Sequence, residues 1–412
     1  MIFIFLVVVP NPLQRRILTD YQVDPYSLSR IEMWKEAVVI IRDHPLGIGF
    51  EMYPLISPQY AFPIKGTIQQ YNKIAESPHN EYLRLFAETG IAGGIFFISA
   101  IALFYLKWID SKNKSFLHDG MLAGTVIFFV HALVDSNFHE PALVITVITL
   151  STLVLDKRLF YSSSHASPVT PHPSRFTVYL LLITFCLLLA FLIIKPAIGW
   201  FYYDKGYEQM KQHQYQQAVG NIQTALLLEN QNARYHNALA NVYFNLFVET
   251  HDNDWVIQSL DELDSALELN PIDGNYYKIK GKVYKTLAMR VEKKEHLDKL
   301  YGEAFTNYQN ALKLLPYDAS IYLELAEIHT YFRRYGDAET AYNRSITLEP
   351  NYLLAREKKI ELLLKTGKKE EADKEYQKLI FVYDNLKNRV LADSEKKFID
   401  FNQKKLEELL KS

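Results

Sequence analysis

The sequence predicts an all-α chain, polytopic membrane helices followed by a helical solenoid. Three observations predict it. Charged residues are sparse over residues 91–194 and dense from Asp204 onward, dividing the 412 residues into a membrane half and a soluble half. Four apolar segments lie in the first half. In the second half, small and aromatic residues recur in phase at the spacing of paired helices. The formal net charge of −2 gives no reason to expect a nucleic-acid partner. The single cysteine, Cys186, rules out an intramolecular disulfide framework, so a soluble part must be held by packing.

Residues 1–9 are apolar but shorter than the about 20 residues a span requires. They lack the basic n-region and small-residue cleavage site of a signal peptide, and read as the end of a truncated membrane helix. Residues 10–89 read as an extramembrane loop. Within it, residues 29–44 predict an amphipathic helix with an apolar face of Ile31, Trp34, Val38 and Ile41. Ser29 caps this helix and Glu32, three residues on, completes a capping box. Arg30 then falls in the first turn, where the helix dipole gives a cation no benefit. It is either a solvated surface arginine or a ligand for something negative. Pro45-Leu46-Gly47-Ile48-Gly49-Phe50 ends the helix in a glycine-containing turn. The glycine spacing is not that of a phosphate loop, and no Lys-Ser/Thr follows.

The loop ends at Ser77-Pro78-His79-Asn80-Glu81-Tyr82-Leu83-Arg84. Ser77 is a candidate N-cap and Pro78 suits the first helical position, which places His79 in a first turn. The positive end of a helix dipole disfavours imidazolium there, leaving a neutral ring able to accept a proton. On residues alone, His79 is a poised base or a solvated helix start. Arg84, on the same helix, is a phosphate ligand or a surface residue.

The four apolar segments cover residues 91–109, 120–134, 142–155 and 176–194. Lys107, Lys112 and Lys114 lie between the first two, and Lys157, Arg158 and Arg175 between the last two. By the positive-inside rule both loops are cytoplasmic, so the His79 loop and everything after Lys195 share the outer face. His131, Asp135 and His139 surround the outer end of the second segment. They are functional groups or plain interfacial polarity. A metal site is not expected there, because Pro141 ends the helical register that three ligands would need.

After Pro196 the second-helix ends align at Ala225, Ala266, Ala311 and Ser345, at spacings of 41, 45 and 34 residues. The last is the tetratricopeptide period. Its best copy contains Tyr322, Leu325, Ala326, Ala338, Tyr342, Ser345 and Pro350. The longer spacings predict insertions between the paired helices near residues 249–255 and 290–299. About five repeats result, over residues 199–390, with a capping helix in residues 391–412. The expected fold is thus polytopic membrane helices (four over residues 90–198) followed by a tetratricopeptide-type α-solenoid.

Ser29-Arg30-x3-Trp34, Asp43-His44-Pro45-Leu46-Gly47-Ile48-Gly49, and His79-Asn80-Glu81-Tyr82-Leu83 with Glu88-Thr89-Gly90-Ile91-Ala92-Gly93 form a set. Over roughly residues 20–160 it resembles the C-terminal half of the O-antigen ligase and polymerase superfamily. These are bacterial inner-membrane glycosyltransferases, and an appended tetratricopeptide domain resembles an arrangement found among them. The resemblance implies a donor glycan on undecaprenyl pyrophosphate and an acceptor hydroxyl of lipid A core, a growing glycan or a protein. It implies a periplasmic catalytic loop in which His79 deprotonates or orients the acceptor hydroxyl and Arg30 grips the pyrophosphate. Asn80, Arg84 and Asp135 are the accompanying substrate-binding candidates. No metal or nucleotide cofactor is expected. The family has about a dozen membrane helices, so this chain reads as a fragment lacking the N-terminal ones. Two other readings compete: a non-enzymatic, membrane-anchored repeat scaffold for protein partners, which would not need both Arg30 and His79, and a transporter, which would need ionisable groups at mid-membrane.

Overall fold

The computed structural model describes residues 25–64, 68–71, 76–109, 116–133, 135, 141–155, 175–389 and 393–411. The expected membrane stub at residues 1–9 and His139 lie outside them. Among the described residues every regular element is helical, as expected for an all-α chain.

The first elements are α1 (Pro25–Asp43), the single turn α2 (Tyr53–Ile56) with a 3₁₀ turn (Ser57–Gln59), α3 (Glu81–Ile109), α4 (Phe116–His131) and α5 (Pro141–Leu155). Five consecutive helix pairs follow: α6 (Arg175–Lys211) and α7 (Tyr215–Leu228), α8 (Ala233–Thr250) and α9 (Asn253–Leu269), α10 (Gly274–Ala288) and α11 (Lys294–Leu314), α12 (Ala319–Tyr331) and α13 (Tyr335–Leu348), α14 (Leu353–Lys365) and α15 (Lys369–Leu386). Two short helices, α16 (Asp393–Ile399) and α17 (Gln403–Lys411), close the chain. The chain divides into two compact units. One comprises Met1–Ser164, Tyr317–Leu323 and Tyr335–Ser412; the other comprises His165–Pro316 and Glu324–Arg334.

In the first unit, α1 begins four residues before the expected Ser29, because Pro25 supplies a preset φ at a helix start. Ser29 is therefore inside the helix, and Arg30 lies in its second turn rather than its first. Glu32 bonds Lys35 at 2.6 Å instead of closing a capping box. The buried face is Met33, Glu36, Ala37 and Ile40; Ile31 and Val38 are 41% and 54% exposed. The run Ala37-Val38-Val39-Ile40-Ile41 fits either helical phase. Contact of Ala37 and Ile40 with Tyr53 and Ala87 decides between them.

Helix α3 is the one helix among the described residues long and apolar enough to cross a membrane. It carries outward-facing Ile95, Phe96, Leu103 and Leu106. The stretch Asp119–His131 of α4 is a shorter apolar helix. In the same unit, α14, α15 and α17 share a core of Leu353, Ile360, Leu363, Ala372, Leu379 and Leu406. The expected single capping helix is two helices. Asn402 breaks it by accepting the Lys405 amide at 3.0 Å, starting α17 afresh.

In the second unit, α6 runs unbroken through Pro196 and becomes the first helix of the first pair. Proline removes one helical bond, which a continuous helix packed along α7 tolerates. Ala218, Ile222 and Ala225 meet Tyr235, Ala238, Leu239 and Val242, so small residues let the helices approach where tyrosines fill the gaps. The expected insertions do not form long loops. Only His251 and Asp252 separate α8 from α9, His251 as a left-handed C-cap and Asp252 as an N-cap. The extra residues mostly lengthen the helices: Trp255 of α9 stacks on Tyr243 at 5.5 Å, while Arg290, in the short connection from α10 to α11, lies over the Phe247 ring at 4.4 Å.

Candidate active site

The turn after α1 is locked onto a kink in α3. Gly90 interrupts α3 with φ 77° and ψ 177°, a conformation essentially reserved for glycine. The break diverts the helical bonds around it. Ile91 N–H donates to the Pro45 carbonyl (3.0 Å), and the Ala87 and Glu88 carbonyls accept from the N–H groups of Ile48 (2.9 Å) and Gly49 (3.0 Å). The backbones touch so closely that a Cβ at Gly90 would lie 2.5 Å from the Leu46 carbonyl carbon, and one at Gly47 would lie 2.5 Å from the Glu88 oxygen. The Pro-Leu-Gly-Ile-Gly motif thus exists to satisfy the backbone of a bent helix. It leaves Leu46 93% and Phe50 73% exposed beside the start of the apolar segment.

His79 is fixed by a second set of exchanges. The expected cap is displaced. Ser77 Oγ accepts the His79 amide at 3.1 Å, but α3 starts at Glu81, and Asn80 caps it by accepting the Leu83 amide at 3.0 Å. His79 therefore precedes the helix instead of lying in its first turn, with φ of 49°. The new helix start is stitched to the end of α4. Asn80 Nδ2 donates to the Leu133 carbonyl (2.9 Å), the Glu81 amide to the Ala132 carbonyl (2.9 Å) and the Tyr82 hydroxyl to the Phe129 carbonyl (2.9 Å). Carbonyls left unpaired at a helix C-terminus are satisfied by donors left unpaired at another's N-terminus. This brings His79 Nδ1 to 3.7 Å from Asp135 Oδ1. Nδ1 is shielded from solvent and makes no hydrogen bond among the described residues. At 3.7 Å the pair is a close contact, longer than a hydrogen bond.

Below this, charges are buried. Arg84 is buried, not at the surface. Its Nε donates to Glu88 Oε1 at 3.0 Å and its Nη2 meets Glu51 Oε2 at 2.8 Å. Glu88 is buried too, whereas Glu51 is exposed and supplied by a left-handed residue of the turn after Gly49. Glu36 of α1 is buried in the same module, and its Oε1 accepts no hydrogen bond among the described residues. Burial raises its carboxyl to about 7, against a smaller opposing pull from Ser57 and Tyr53.

The structure thus brings His79, Asn80 and Asp135 together. Both polar ends of Asn80 are used inside the chain. Arg30 is exposed on α1 and makes no ion pair or hydrogen bond among the described residues. His131 is exposed at the end of α4. Among the described residues no group of three His, Cys, Asp or Glu could hold a metal ion. Sequence reading missed Glu88, Glu51 and Glu36. Glu88 had a signal, its i+4 spacing from Arg84. Glu51 and Glu36 had none, because a turn and a folded core place them.

The matched family is described as O-antigen ligase, over residues 1–98 of the 412. No curated protein matches the chain. Among solved structures, similarity is found to a thermophilic TPR protein of Thermus thermophilus (16% identity, 52% of this chain and 100% of that one, TM-score 0.40). It is also found to the MamA protein (17%, 47% and 97%, 0.38) and to pilF of Pseudomonas aeruginosa (18%, 45% and 76%, 0.38). The segment that carries Arg30, the Pro45–Gly49 turn, His79 and the Gly90 kink is thus similar in sequence to the O-antigen ligase family.

Proposed function

We propose that the chain serves a metal-independent, multi-pass membrane glycosyltransferase of O-antigen ligase type. It moves a glycan from undecaprenyl pyrophosphate to an acceptor hydroxyl of lipid A core or of a protein, at the periplasmic face of a bacterial inner membrane. The observation that carries this reading is His79, inside the family-matched segment, held beside Asp135 at the head of the kinked apolar helix. Asp135 orients the ring through Nδ1–H, leaving Nε2 as the base. The acceptor oxygen attacks the anomeric carbon of the donor sugar, the bond from that carbon to the pyrophosphate oxygen breaks, and the hydroxyl proton passes to His79 Nε2. The electron pair leaves on undecaprenyl pyrophosphate. Arg30, exposed and without an ion pair among the described residues, takes its oxygens in a bidentate grip as charge develops. Arg84 is already held by two carboxylates, so it shapes the site rather than gripping phosphate.

The test is complementation. The full reading frame carrying His79→Ala or Arg30→Ala is expressed in a host lacking its own ligase, and glycan transfer to lipid A core and to protein is scored on gels. Transfer by the unsubstituted protein, abolished by either substitution with membrane levels unchanged, is the expected result, and the labelled acceptor names the subclass. Transfer that survives both substitutions overturns the assignment and favours a membrane-anchored repeat scaffold.

A further inference from the structure

Glu349 stands at a place where helix physics opposes it. It directly follows α13, at the negative end of the helix dipole, and it is 3% exposed. Burial there pushes its carboxyl up from the ordinary value. Two backbone amides from a distant part of the chain compensate: Gln70 N–H donates to Oε2 at 2.6 Å and Tyr71 N–H to Oε1 at 2.7 Å. Both carboxylate oxygens are thus used on adjacent amides of the loop that leads to His79. Asn351 Nδ2 donates to the Ile68 carbonyl at 3.1 Å, and the Tyr71 ring stacks on Tyr317 at 5.1 Å with the planes 7° apart. The loop closes on itself, Ile64 N–H to the Gln70 carbonyl at 2.8 Å, and buries Ile64 and Ile68. All these residues belong to one compact unit.

We propose that this repeat surface has an occupant in cis. It holds Ile68, Gln70 and Tyr71 through Asn351, Glu349 and Tyr317, and Glu349 is a positioning residue for the loop that delivers His79. Seven residues separate Tyr71 from His79. The other end of that tether is fixed where Asn80 and Glu81 bond the end of α4. The clamp therefore sets the near end of a short segment whose far end is the base. Two charge-assisted bonds to one carboxylate are specific because, among the described residues, no other acceptor is offered to those amides. This positioning role rests on the glycosyltransfer reading; the clamp itself does not.

The experiment uses the full chain in lipid nanodiscs, with Glu349→Ala, Glu349→Gln and the milder Asn351→Ala. Amide hydrogen exchange is followed in peptides covering residues 68–71 and 77–80, beside glycan transfer by the same variants in the complementation host. Glu349→Ala should speed exchange at 68–71 by about tenfold or more. It should also speed exchange at 77–80 and lower kcat with the donor KM unchanged. Glu349→Gln, which keeps one acceptor oxygen, should recover part of both, and Asn351→Ala should give a smaller effect in the same direction. Unchanged exchange at 68–71 in Glu349→Ala overturns the clamp. Faster exchange at 68–71 with no change at 77–80 or in kcat overturns the positioning role. If the unsubstituted protein transfers nothing, the glycosyltransfer reading fails, while exchange at 77–80 still decides whether the clamp holds the His79 segment.

Discussion

Replacing Gly90 by alanine tests the interlock between the turn and the kink. At φ 77° and ψ 177° a Cβ is strained by about 1–3 kcal/mol before any neighbour is considered. The neighbours make it worse. The added carbon would sit 2.5 Å from the Leu46 carbonyl carbon and 2.7 Å from the Pro45 and Leu46 oxygens, and backbone cannot rotate aside as a side chain can. Relief requires α3 to straighten and the 45–49 turn to lift. That loses the Ile91–Pro45, Ile48–Ala87 and Gly49–Glu88 bonds, each worth about 0.5–1.5 kcal/mol net. Straightening regains ordinary helical bonds, so the total is about 3–4 kcal/mol, or an apparent Tm lower by on the order of 10 °C. The assay is thermal unfolding of the purified chain in detergent, with Gly120→Ala as the control. Gly120 is helical, and among the described residues nothing beyond its chain neighbours and its own helix backbone comes within 4 Å of its added Cβ, so alanine there should be neutral or stabilising by up to about 1 kcal/mol. A Gly90→Ala protein that melts with the control would refute the reasoning, because it would mean that the turn does not depend on the kink.

The remaining predictions are independent of it. Glu36 has a folded pKa of about 7 against an ordinary 4.5, so the fold favours its neutral form. Its contribution is complete below about pH 4.5 and is lost as pH rises through 7, a fall of about 3 kcal/mol. Glu36→Gln should flatten that pH dependence in denaturant titrations and be the more stable protein at pH 8; an unchanged slope refutes the assignment. Arg84→Ala strands buried Glu88 and should cost about 3–5 kcal/mol, whereas Glu51→Gln, at an exposed partner, should cost under about 1 kcal/mol, both read by melting. Asp135→Asn should lower glycan transfer on the order of tenfold or more at unchanged donor KM, and full activity would show that the 3.7 Å contact does not orient His79.

Periodicity and composition alone settled that the chain is helical, where the apolar segments lie and that helix pairs repeat. These depend on local pattern, which folding does not rearrange. The motif residues were legible for the same reason: prolines, glycines and a histidine at fixed spacing mark a turn whatever packs on it. What the sequence could not decide was phase and partnership. The buried side of α1 was read as Ile31, Trp34, Val38 and Ile41 because an unbroken apolar run satisfies two helical registers; contact of Ala37 and Ile40 with Tyr53 and Ala87 turned Ile31 and Val38 outward and kept Ile41 against the core. The start of α3 was placed at Ser77 because Ser-Pro is a good local signal. Asn80 won because the end of α4 offered carbonyls to the donors around it. Arg84 looked like a surface cation until Glu51 and Glu88 closed over it. Glu349 and the amides it holds are 278 and 279 residues apart. No spacing rule reaches that far, since the bond depends on two distant backbones arriving at one carboxylate, and only the tertiary structure brings them there.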